Sequence, residues 1–450
     1  MTTTSATFDP AVARALPGPD WLRERRAQAA ERAASLEVPT TDEEVWRYSR
    51  IDELDLDAYT WPSIDTPDAT PAGRPAGAVD VPAGAQALVD AVADRAGSVI
   101  VVNGRVLQVE LDEVWAARGV TLGRLADRDD GEARFTASVA AEGAPSDLFR
   151  MLTTAFSDPV ALVVPPRVHV EGPFVVIDWN DADGAVSFPH LLVSLGEDAE
   201  ARVVDHHGGA DVAALVLPLI DLEVGPAARL GYLNVQRRGP RTWQIASQQS
   251  RVERQATLVA AQAALGGDYA RTRADCRLVG RGATGNLLAV YFGERSQTLD
   301  FRTFQDHAAP DTTSNLLFKG AVGGHSRSVY TGLIRVRPEG RGTNALQTNR
   351  TIKLSDHAWA ESVPNLEIEN NDVHCSHASA VGPIDEEQRF YLESRGVPPE
   401  VAERLLVAGF FDEVLDQLPV PDVIGPLRAG VAERLERRLA EGRADQGRPA

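Results

Sequence analysis

Apolar and polar residues follow three different patterns in three successive parts of the chain. Residues 19–36, PDWLRERRAQAAERAASL, are dominated by Ala, Arg, Leu and Glu, which favour helix, and Val38-Pro39 stops the run. Thr41 or Asp42 is placed to cap a short turn carrying Trp46 and Tyr48. Residues 62–85 are crowded with Pro, Gly and Ala and read as an extended linker. The stretch VIVVNGRVLQVEL (99–111) predicts a β-hairpin turning at Asn103-Gly104, a favoured two-residue turn pair. Helical spacing returns over 144–157, with Leu148, Met151, Leu152 and Phe156 on one face.

The pattern changes near Pro159. From there to about Val381 no amphipathic helix is visible. Short alternating or apolar runs recur instead (ALVVP, RVHVEGPFVVIDW, GNLLAVYF, TLDFRTFQD, SVYTGLIRV), separated by Gly, Asn, Asp and Pro. Such spacing suits a sandwich, a barrel or a β-solenoid. A solenoid grows by adding turns and accommodates this length. At ~20–25 residues per turn and ~4.8 Å between strands, the stretch predicts about nine to eleven turns and a rod roughly 45–50 Å long. No strict repeat is present, so periodicity alone leaves solenoid and sandwich both open. The run 256–267, ATLVAAQAALGG, is read as a strand.

The third part is helical. Asp385 begins DEEQRFYLESRG with an N-cap aspartate, Gln388 at the capping-box position and Gly396 at the close. Pro398-Pro399 opens a second helix in which Val401, Leu405 and Leu406 recur at helical spacing. A final helix covers 426–441. The expected organisation is a mostly helical region over 1–157, a β body over 158–382 and a helical region over 383–450.

Composition narrows the function. Forty-five Lys and Arg against 65 Asp and Glu give a net charge of −20, which argues against nucleic-acid binding. Two cysteines with no CxxC exclude a disulfide framework or zinc ribbon. The start, Met1-Thr2-Thr3-Thr4-Ser5, shows no secretory signal, and no apolar run approaches a membrane span. A cytoplasmic location is expected.

Histidine and cysteine meet at one place, Asn371-Asp372-Val373-His374-Cys375-Ser376-His377. On a strand, Cys375 and His377 share a face and His374 takes the other. A thiolate and an imidazole spaced this way could converge on one soft or borderline metal. Two ligands do not close a site, since zinc and iron–sulfur clusters take four. A metal here is therefore transient or shared with a partner, and the alternative is a packed thiol beside a hydrogen-bonded histidine. Asp205-His206-His207 reads as a polar loop, Gly323-Gly324-His325-Ser326 as a β-turn, and Cys276 as core. Lys319 in LLFKGAV reads as a strand-edge lysine; Glu367 and Glu369 read as one solvated strand face. No P-loop motif is present.

Three stretches resemble the SufB/SufD family of iron–sulfur cluster assembly proteins: the block over 343–410, RTFQDHAAPDTTSNLLFKGAVGGHSRSVYTGLI (302–334), and PDWL with EEVWRYS near the start. The segment Leu346-Gln347-Thr348-Asn349-Arg350 lacks the cysteine that the SufB branch carries there, and Cys375-Ser376-His377 is the SufD pattern. The resemblance implies a right-handed parallel β-helix between helical terminal regions. It implies a non-enzymatic scaffold that pairs with SufB and binds the ATPase SufC, with a homodimer possible in isolation. Cys375 and His377 would be groups for iron or a nascent cluster at the SufB interface, with Lys319 carried over more weakly. No cofactor would be stably bound by the isolated chain, and reduced flavin is possible in the complex. Leu405, Leu406, Phe410 and Phe411 would offer an apolar face to SufC. Alternatives are a SufB-type subunit, a β-helical carbohydrate-active enzyme with paired carboxylates, and a purely structural solenoid.

Overall fold

The computed structural model describes residues 8–61, 80–139 and 147–446. Successive strands alternate between two facing sheets. One runs through Gly97–Val102, Phe174–Asn180, Glu200–Gly209, Arg229–Gln236, Thr257–Ala264, Thr284–Gly293, Thr313–Val322, Thr343–Lys353 and Val373–Gly382. The other runs from Val160–Val164 through Trp243–Val252, Tyr269–Leu278, Thr298–His307 and Arg327–Val336 to Trp359–Ile368. These ladders are parallel, and the chain is a β-solenoid of about eight turns between N- and C-terminal helices. The predicted hairpin forms the start: Arg105–Leu111 lies antiparallel on Gly97–Val102, with Asn103 and Gly104 both at positive φ. It joins the first sheet, so the β structure begins well before residue 158.

The turn is longer than the sequence pattern suggested. Thr284 pairs with Thr313, and Thr313 with Asn344, because most turns carry two strands of about ten residues. Hence there are about eight turns rather than nine to eleven. One corner repeats in backbone terms. Arg167, Asp198, Ala227, Gln255, Gly282, Asp311 and Gly342 all have positive φ. Each donates its N–H to a carbonyl of the following turn, from Arg167 to Glu197 through to Gly342 to Asp372. Seven positions filled by five residue types carry no repeat a sequence could display.

Both outer faces of the solenoid are covered. Inward side chains such as Val203, Tyr232, Leu287, Leu316 and Phe318 fill the bore. Outward Leu233, Val290, Phe292 and Leu317 pack against Val407, Phe411 and Leu415 of the helix Pro399–Leu415 and against Leu427 and Val431 of Ile424–Gln446. On the other side, Trp46, Phe149, Phe156 and Phe188 pack with Trp243 and Tyr269. Strands buried on both faces read as apolar runs instead of clean alternation. The helix Leu148–Phe156 is likewise buried at all nine positions, not on one face.

Details near the N-terminus depart from expectation. The short turn Glu44–Trp46 has no side-chain cap, and Thr41 bonds Asp52 instead. Most of the expected linker over 62–85 lies outside the described residues, and its end belongs to the helix Ala83–Asp90.

Candidate functional site at the open end of the solenoid

Among the described residues, none caps the last turn of the solenoid. Trp359–Ile368 and Val373–Gly382 each pair with only one neighbouring sheet strand, and no residue in either is fully buried. The preceding strand Thr343–Lys353 shows which way side chains point: Thr343, Ala345, Gln347, Asn349 and Thr351 are buried and face the bore. Its register sets Ala345 beside Cys375, Gln347 beside His377 and Asn349 beside Ser379. Cys375, His377 and Ser379 therefore line one inward face, and His374 and Ser376 point outward.

The chemistry of this row is graded. Cys375 packs half-buried against Ile334, Val336, Ala345 and Leu366. Burial pushes its thiol up, and a hydrogen bond with the Ala345 backbone only partly offsets this, so the neutral thiol is favoured. His377 is exposed. Ser379 is fixed: it bonds Ser362 at 2.6 Å across the bore, and Ser362 accepts from Asn349 Nδ2 at 2.8 Å. The end thus presents an accessible imidazole and, beside it, a thiol held in its protonated form. Among the described residues no group of three or more His, Cys, Asp or Glu side chains is arranged to hold a metal ion. The donors here are two.

Other residues singled out by sequence lie apart from this end. Lys319 is not on a sheet edge: Thr313–Val322 is an internal strand, and the Lys319 ammonium is buried under the helix Pro399–Leu415. There it pairs with Glu413 and sits 4.5 Å from the Phe410 ring centroid, a clamp between helix and solenoid. Asp205-His206-His207 is no loop. It lies within Glu200–Gly209, with all three residues buried. Asp205 accepts from Tyr232 Oη at 2.6 Å and meets His207 Nε2 at 3.1 Å, while Arg238 closes an ion pair with Asp178 in the same interior. Burial pushes the Asp205 carboxyl up, but His207 and Tyr232 outweigh it and hold it below the usual range. Gly323–Ser326 does form a turn, and His325 stacks on His357 of the next turn, centroids 4.9 Å apart. Cys276 is wholly buried, its thiol pushed up to about 12 by burial. Glu367 is exposed and bonds Arg335 at 2.6 Å; Glu369 lies just beyond that strand.

The expected apolar docking face is corrected at its centre. Phe411 is 0% exposed, with its ring 6.3 Å from Phe292 on the solenoid, so it is unavailable to a partner. Phe410 is half-buried over Lys319, Leu406 is half-buried, and Leu405 is exposed. Sequence reading missed Phe390 and Tyr391 on the helix Glu386–Ser394, 71% and 57% exposed. Their i, i+1 spacing gives no periodic signal.

The sequence compares closely with known proteins. Residues 177–410 match the family model described as SUF system FeS cluster assembly, SufBD core domain. An iron–sulfur cluster assembly SufBD family protein of Mycobacterium tuberculosis is 36% identical over 359 residues, covering 72% of this chain and 88% of that one. A SufBD family protein of Staphylococcus epidermidis is 22% identical over 410 residues, covering 89% and 87%. The iron–sulfur cluster assembly protein SufD of Escherichia coli is 28% identical over 244 residues, 54% of this chain and 58% of that one. No helix among the described residues is long and apolar enough to cross a membrane.

Proposed function

Because the chain belongs to the SufBD family of iron–sulfur cluster assembly proteins, we propose that it is a SufD-type, non-catalytic scaffold whose open solenoid end completes an iron or nascent-cluster site with a SufB-type partner. The observation that carries this reading is the incomplete donor set on an uncapped sheet end. His377 and Cys375 face inward on a last turn whose outer strand edges have no neighbour among the described residues. An unpaired strand edge takes up another strand readily, and a partner strand laid there would bring further ligands beside these two. The absence of cysteine from Leu346–Arg350 leaves the sulfur-carrying role to the partner.

Iron is the cargo in this reading. His377 would be the main ligand on this side, because a neutral imidazole binds without first losing a proton and a buried thiol does not. A second surface would take the ATPase: Phe390, Tyr391 and Leu405 are exposed apolar side chains on the paired helices Glu386–Ser394 and Pro399–Leu415. The test is co-purification with SufB and SufC, then iron content and cluster absorbance at matched subunit ratios. His377→Ala should leave assembly intact and remove most of the iron, and Cys375→Ser should cost less. Wild-type iron in the His377→Ala complex would refute the reading.

A further inference from the structure

A histidine that ligates a metal through one ring nitrogen almost always donates the other N–H to an acceptor, which fixes its tautomer and raises its basicity. The inward face around His377 offers few acceptors. By strand alternation the inward positions opposite are Ser362, Pro364 and Leu366, while Glu361 and Glu367 lie on the other face. Ser362 and Ser379 are engaged with each other and with Asn349. Gln347 is the register partner of His377, a strand spacing of ~4.8 Å away. It is 1% exposed; its Nε2 is directed at the Tyr330 hydroxyl, and its Oε1 has no hydrogen-bond partner.

A buried amide whose oxygen is unpaired costs free energy that a leucine of similar size would not. The surroundings nevertheless make room for it. At Gly332 any Cβ would collide with Gln347 Nε2 and with the Tyr330 hydroxyl, which is itself bonded to Thr303 at 3.0 Å. The bore is therefore shaped around a polar group whose oxygen the isolated chain does not use. Resting on the reading of His377 as an iron ligand, we propose that Gln347 is its positioning residue: Gln347 Oε1 accepts the N–H of the non-ligating ring nitrogen once iron or a partner strand holds the imidazole against it.

The experiment uses the full complex with SufB and SufC, titrated anaerobically with ferrous iron, alongside thermal melting. Gln347→Leu should weaken iron binding by roughly 10-fold or more, with assembly unchanged and melting unchanged or raised. Gln347→Glu keeps an acceptor at the same reach and should restore iron binding. A Gln347→Leu complex that binds iron as wild type does, beside a His377→Ala complex that does not, overturns this inference and leaves the proposed function standing. Wild-type binding by His377→Ala refutes the proposed function itself. Should Gln347→Leu fail to assemble, Gln347→Glu decides: loss of iron binding there overturns the inference, and retention supports it.

Discussion

His307 and His206 show what the covered solenoid does to single residues. His307 is wholly buried between Thr312 Oγ1 at 2.8 Å and Ser314 Oγ at 2.9 Å, and burial lowers its imidazole to about 4. His206 is lowered to about 4 for the same reason. Both stay neutral in the folded chain, whereas an unfolded histidine takes up a proton near pH 6.5. The unfolded state therefore binds more protons between pH 6.5 and 4. The stability these residues contribute is complete above about 6.5 and is lost as pH falls toward 4, by up to about 3 kcal/mol each. Denaturant melts at pH 7, 6, 5 and 4.5 should show the decline, and His307→Asn should flatten it. An equal decline in that variant would place the acid sensitivity elsewhere.

The helix Pro399–Leu415 divides its apolar residues between two tasks. Phe411, Val407, Val414 and Leu415 are buried against the solenoid or the neighbouring helix, while Leu405 stays in water. Phe411→Ala should cost about 3–5 kcal/mol, the loss of a buried aromatic and the cavity it leaves. Leu405→Ser should change stability by less than about 0.5 kcal/mol. If Leu405 belongs to the ATPase docking surface, that substitution weakens SufC capture while the melt stays put, and Phe390→Ser behaves alike. Capture unaffected by both substitutions would move the docking surface off these helices. Lys319→Met tests the clamp from the solenoid side. The exposed partner Glu413 limits the ion pair to a minor share, so packing under Phe410 should be retained.

For the whole molecule, the terminal helices are walls of the core. A solenoid built only by stacking turns would survive removal of residues 383–450. In this chain the removal uncovers Leu233, Val290, Phe292 and Leu317 together, a contiguous apolar strip. Proteins rarely leave such a strip in water. The truncated chain should melt at lower temperature, bind a hydrophobic dye and aggregate at concentrations where the full chain is dispersed. Unchanged melting and no dye binding would show that the sheets stand alone.

Local rules fixed much of this protein in advance. Asn103-Gly104 specified its hairpin, Asp385 its helix start, and strand alternation set Cys375 and His377 on one face, because turn chemistry, capping and pleat act within a few residues. The resemblance over 302–334 and 343–410 carried the family. What the chain alone left open depended on contacts about 30 residues apart or more. The length of a turn is set by corners whose shared feature is a positive φ and an N–H bond to the next turn, and neither has one residue type as its sign. Which apolar side chains remain exposed was decided by which sheet face each helix covers, so Phe411 went inward and Phe390 outward. The buried pairing of Asp205 with Tyr232, and the unpaired amide oxygen of Gln347 beside His377, arise only when turns stack and place inward side chains in register.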